Sequence, residues 1–98
     1  MRYIIKRRCL DNILQFYVNV SKKYKHTYSK ELMQANVTEA YDAMFLIENK
    51  LLRRIPTLNR WKNEGWYMAS SGKWMYAYTV EDDVVTIQDA CHKQNMHD

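Results

Sequence analysis

A chain of 98 residues, 47% of them hydrophobic, with two Gly and one Pro, is long enough for one core and too short for two, so residues 1–98 are read as a single domain. Eight Tyr and three Trp, with no low-complexity tract, exclude a disordered chain or one built on flexible linkers. Fifteen Lys and Arg against eleven Asp and Glu give a net charge of +4 and a pI of about 9.1, a balance that favours a polyanionic or acidic partner.

The first ten residues, MRYIIKRRCL, are basic but lack the apolar stretch of about 7–15 residues and the small-residue cleavage site of a signal peptide. No segment approaches the ~20 apolar residues needed to cross a bilayer. A cytoplasmic protein without a membrane partner is expected. In that compartment Cys9 and Cys91 should be buried free thiols rather than a disulfide.

Residues 2–7 place Tyr3, Ile4 and Ile5 between basic side chains and suit a short first strand. From Cys9 the period changes: Leu10, Ile13, Leu14, Tyr17, Val20, Ser21 and Tyr24 recur at three and four, predicting an amphipathic helix over residues 10–25. Asp11 near its start and Lys22, Lys23 and Lys25 near its end match the helix dipole. Ser29 is a fair N-cap for a second helix running to about Arg53, on which Met33, Val37, Ala40, Met44, Ile47 and Leu51 form one stripe. Asn36 with Glu39 three residues later is a second capping box, so that helix is either continuous or broken near Asn36.

Pro56 stops the helix and pushes Ile55 toward extended geometry. Residues 57–64 then read as a basic connection carrying Arg60, Trp61 and Lys62, followed by a short strand in WYMAS and a turn at Ser70-Ser71-Gly72. Residues 73–80 alternate with period two: Trp74, Tyr76 and Tyr78 on one face, Met75, Ala77 and Thr79 on the other. Residues 84–89 alternate as well, and Glu81-Asp82-Asp83 between them makes the pair a β-hairpin of open turn type. The sum is an α+β domain: a short N-terminal strand, two helices, then a three-stranded antiparallel meander, with the helices packed on one face of the sheet. The three rings of residues 74–78 should face the helices, leaving Met75 and Ala77 outward.

A strand of the form aromatic-x-x-x-Tyr (Trp74 to Tyr78), an acidic turn, a Val-rich strand and a His shortly before the end resemble the carboxy-terminal half of the RelE/ParE-type toxins of bacterial toxin–antitoxin pairs. LLRRIPTLNRW, which ends at Trp61, is similar to the end of that family's second helix, and the resemblance covers the chain from about Val37 onward. It implies a type II toxin with a cognate antitoxin as partner. The target is then either mRNA on the ribosome, cut by a metal-independent endoribonuclease, or DNA gyrase, bound by a non-catalytic ParE-like toxin. A degenerate member that binds only its antitoxin is the third reading. Family members that cut RNA usually have Arg directly after the aromatic that begins the third strand and basic residues in the second; here Met75 and Gly65-Trp66-Tyr67-Met68 stand there.

Cutting RNA without a metal requires a base for the 2′-hydroxyl, an acid for the leaving 5′-oxygen and cations for the phosphate. His92 is the best candidate acid or base, with an ordinary pKa near 6.5, and Lys93 and Lys73 are the candidate catalytic cations beside it, among those that a fold of this order could bring around one edge of the sheet with Arg53, Arg54, Arg60 and Lys62. Arg53, Arg54, Arg60, Trp61 and Lys62 form the candidate RNA-binding group, combining charge with a stacking ring. No cofactor is expected, and no metal, since Cys91, His92 and His97 lack zinc-site spacing.

Overall fold

In the computed structural model, which describes residues 2–47 and 53–97, the change of period at the amino terminus becomes a change of element. Strand β1 (Arg2–Ile5) gives way directly to helix α1 (Arg7–Lys23), which begins earlier than its apolar stripe and ends near its lysines. The stripe buries Ile13 and Tyr17, whereas Leu14 and Tyr24 stay 43% and 50% exposed. Helix α2 (Lys30–Met44) starts at the expected cap, the Ser29 hydroxyl accepting from the Leu32 amide at 3.1 Å.

Of the two alternatives for this second helix the continuous one holds: it is unbroken at Asn36, whose side-chain amide donates to the Tyr28 hydroxyl across the helix entry instead of capping a new start. Its expected end is corrected, since it stops at Met44 rather than near Arg53. Ile47 is nevertheless fully buried, so the apolar spacing recorded burial beyond the end of the α-helix. Leu51 and residues 48–52, the end of the expected helix, lie outside the described residues.

The domain is α+β, as expected. Strands β2 (Tyr67–Ser71), β3 (Trp74–Glu81) and β4 (Val84–His92) pair antiparallel in succession, and β1 adds parallel to β4, giving the order β1-β4-β3-β2. Both hairpin turns have two residues. Gly72, with φ 60°, occupies the first central position between Ser71 and Trp74, where a primed turn needs left-handed backbone. Asp82 and Asp83, with φ 49° and 65°, form the other turn, so the acidic stretch is shorter than the three residues expected. Asp tolerates that conformation better than most residues because its short side chain bonds locally.

Trp74, Tyr76 and Tyr78 face α1 and α2, as the alternation predicted. Burying a large side chain is worth about 1.5–3 kcal/mol, so the register that hides three rings beats the one that would hide Met75, Ala77 and Thr79. Their polar tips are bonded: Trp74 Nε1 donates to the Tyr17 hydroxyl at 3.1 Å, and the Tyr76 hydroxyl donates to the Ala40 carbonyl at 2.6 Å.

The helices do not all lie on one face. A short third helix, α3 (Asn59–Asn63), occupies the expected connection and covers the other side of the sheet, placing Leu58 and Trp61 over Met68, Met75, Ala77 and Cys91. Met75, expected outward, is 8% exposed. Gly65, with φ 75°, closes α3: its amide bonds to the Lys62 carbonyl and the Trp66 amide to the Trp61 carbonyl, a paired C-terminal cap that holds so short a helix in place.

A bulge in β4 decides what each face receives. Ala77 pairs with Asp89 while Tyr78 pairs with Ile87, so Gln88 is the extra residue and the parity of the strand flips there. Val85 and Ile87 belong to the α1 side; beyond the bulge Ala90 does too, while Cys91 belongs to the α3 side. His92, paired with Trp74, therefore returns to the α1 side. Strand β1 pairs only as far as Ile87, which leaves the last residues of β4 open on that flank although β4 is an inner strand.

Candidate functional site

Asp89, Arg60 and His92 are brought together by the bulge and by α3. The Asp89 carboxylate, 8% exposed, accepts from Trp61 Nε1 at 2.8 Å, from Asn12 Nδ2 at 2.7 Å and from the Ala90 amide at 2.8 Å. It ties α1 and α3 to the end of β4. Arg60, beside Trp61, consequently lines the same cleft of about 440 Å³ as His92 and Cys91.

His92 is 9% exposed. Its ring stacks on Phe16, with centroids 4.2 Å apart and planes 7° from parallel, and meets Trp74 edge-on at 5.3 Å. Nδ1 accepts from the Gln94 amide at 3.2 Å and so caps the 3₁₀ turn at Lys93–Asn95. That bond assigns the neutral tautomer, with the ring proton on Nε2. Burial pushes the His92 pKa below its ordinary value, and the Lys73 and Lys93 ammonium groups push it further the same way. Those lysines are held together by the backbone, the Lys93 amide donating to the Lys73 carbonyl at 3.0 Å.

A second cleft, of about 540 Å³, opens on the other side of the same stack, with Lys23, Lys73 and Tyr24 on its walls. Phe16, Asn19, His92 and Asn95 line both clefts. The resulting surface surrounds a neutral, buried imidazole with amides and cations. Chemically it can bind an anion and donate a proton or hydrogen bond from Nε2. It offers no free imidazole acceptor while Nδ1 caps the turn.

The other expected site residues divide. Lys73 and Lys93 stand beside His92. Trp61 is fully buried, so its ring is unavailable for stacking on a base. Lys62 is exposed on the neighbouring face of α3 and lines neither cleft. Arg53 and Arg54 lie at the opposite end of the sheet. The Arg53 amide bonds to the Tyr78 hydroxyl, its guanidinium lies 5.6 Å from the Tyr67 ring, and Arg54 bridges to Met68. Tyr78 is four residues along β3 from Trp74, about 13 Å at strand spacing. Cys91 and His97 line the Arg60 cleft with His92, but among the described residues no three His, Cys, Asp or Glu side chains converge as metal ligands.

Sequence reasoning missed one face of α1. Asn12, Phe16, Asn19 and Lys23 recur at four, three and four, a second stripe beside the apolar one, and all of them line the clefts. A single aromatic among amides and a lysine at helical spacing was the signal available.

No protein-family model matches this chain, and no curated protein matches it. Among the described residues no helix is long and apolar enough to cross a membrane.

Proposed function

We propose that this chain is the toxin of a type II toxin–antitoxin pair, resembling the RelE/ParE-type enzymes that cut mRNA on the ribosome, and that it acts at the paired clefts around His92. The observation that supports the reading is a buried histidine at the end of an inner strand, flanked by Lys73 and Lys93 and facing Arg60 across a cleft. In such a cleft the ribose 2′-hydroxyl gives its proton to water as its oxygen attacks phosphorus, the bond to the 5′-oxygen breaks, and the leaving oxygen takes the Nε2 proton of an imidazolium formed when Nδ1 releases the Gln94 amide and is protonated. The lysines and Arg60 offset charge on the phosphate. A bound phosphate raises the depressed histidine pKa and so populates the acid form when substrate is present. The cognate antitoxin would cover this cationic rim, and the cytoplasm is where both would act.

One observation favours a second reading. With Nδ1 committed to the Gln94 amide, His92 is positioned as a hydrogen-bond donor, which is all that a non-catalytic toxin binding DNA gyrase would need. Expression under tight induction separates the two. Loss of protein synthesis with cut mRNA before any change in DNA supercoiling supports the nuclease; the reverse order supports the gyrase binder.

A further inference from the structure

The cleft on the Lys73 side of the His92–Phe16 stack carries groups that proton transfer does not use. Tyr24 is half exposed, with Lys23 Nζ 5.5 Å from its ring centroid. Tyr28, just before α2, and Asn36 on it, joined by a 2.6 Å hydrogen bond, line the opposite wall. The volume of about 540 Å³ falls within the roughly 300–1,000 Å³ of small-molecule sites.

The two clefts differ in the π surface they offer. The aromatic rings lining the Arg60 side are Phe16 and Trp74, with His92; Phe16 and His92 cover each other, and Trp74 is 2% exposed. The Lys73 side adds Tyr24, whose half-exposed ring, with Lys23 Nζ over it, is the aromatic surface there that a base could stack on. A ring to stack on, two cations and neighbouring side-chain amides are what an unpaired base and its phosphate require. The ring stacks on any base, the amides donate and accept along the base edge, and the cations follow the backbone.

We infer that this second cleft is a subsite for one unpaired nucleotide of a single RNA strand, its base on Tyr24 and its phosphate toward Lys73 and His92. The inference rests on the RNA reading above and names where that strand is gripped. The Arg60 side then holds backbone rather than base.

The test is fluorescence anisotropy of the full chain with a labelled, 2′-O-methylated oligouridylate, which cannot be cut, beside a strand of the same length without bases. Tyr24→Ala should weaken binding of the base-containing strand about five- to 100-fold, the range for loss of one stacked base. Tyr24→Phe should bind like the parent. The abasic strand should bind weakly and be indifferent to either substitution. Lys23→Ala, on an exposed side chain, should weaken both strands and reduce the salt slope by about one; it stands in if Tyr24→Ala melts early. Equal binding of both strands by the parent, or parent-like binding by Tyr24→Ala, overturns the subsite. Uridine monophosphate binding as tightly as the strand overturns its assignment to RNA. Cleavage on ribosomes is scored separately: a chain that cuts mRNA but fails here loses only the subsite, and one that grips the strand through Tyr24 without cutting loses only the nuclease.

Discussion

The imidazole of His92 lies flat on the ring of Phe16, with 4.2 Å between centroids, and this contact seals the histidine off from water on one face. Two elements far apart in sequence make it, α1 and the end of β4, and the bulge at Gln88 sets the parity that lets them meet. Removing the Phe16 ring should reopen that face. Since burial is the main cause of the depressed His92 pKa, Phe16→Ala should raise it toward the ordinary value, at a cost of about 1–2 kcal/mol of stability. Titration of the imidazole proton resonances checks this; an unchanged or lower pKa would show that the lysines control it instead.

The same depression makes stability depend on pH. The folded state holds His92 neutral more strongly than the unfolded chain does, so the unfolded chain binds more protons as the pH falls through its own histidine pKa of about 6.5. The contribution is fully present above that value and is lost as pH falls toward the lower folded pKa. Urea midpoints at about pH 7.5 and 5.5, either side of that value, should therefore differ more for the parent than for His92→Gln. Equal differences would exclude His92 as the group responsible.

Much of this architecture was legible before any coordinates. Alternation at Trp74, Tyr76 and Tyr78 gave the buried face because aromatic area dominates the choice between faces, and Ser29 gave a helix start because capping is local. The stripe through Ile47 misled about helix length because burial and helicity are separate properties. Helix α3 hid inside a basic stretch, with Leu58 and Trp61 three residues apart as its sole apolar signal. The bulge could be glimpsed only in the change of apolar spacing from Val85 and Ile87 to Ala90. Without it, His92 would be assigned to the α3 face. The Phe16–His92 stack and the Asn12–Asp89 bond join residues 76 and 77 apart in sequence and had no local trace.

Asp89 should prove costly to remove. Asp89→Ala strands the buried Trp61 Nε1 donor, a loss of about 1–3 kcal/mol, while the exposed Asn12 amide can turn to water. Trp61→Phe added to Asp89→Ala should recover part of that loss, because the stranded indole donor is then gone. A double-mutant cycle by urea unfolding measures it; strictly additive losses would mean the bond contributes nothing.

Cys9 and Cys91 sit on opposite sides of the sheet, one in the α1 core and one beneath α3. Burial pushes the Cys9 thiol up to about 12, leaving a thiolate fraction of ~10⁻⁴ near pH 8. Burial also raises Cys91, against the opposing pull of Arg60. Ellman's reagent should therefore label the native chain slowly, Cys91 before Cys9, and both at once after denaturation. Rapid labelling of Cys9 in the native chain would contradict the packing.

The most direct measurement of the proposed activity is mRNA cleavage on stalled ribosomes by the purified chain and by His92→Gln, which keeps a polar side chain but carries no titrating proton. The account predicts equal folding and equal binding to the antitoxin, with cleavage slowed about 10²–10⁴-fold. A His92→Gln protein that cuts mRNA, and arrests growth, as fast as the parent would contradict the role of His92 and turn the reading to the gyrase-type binder.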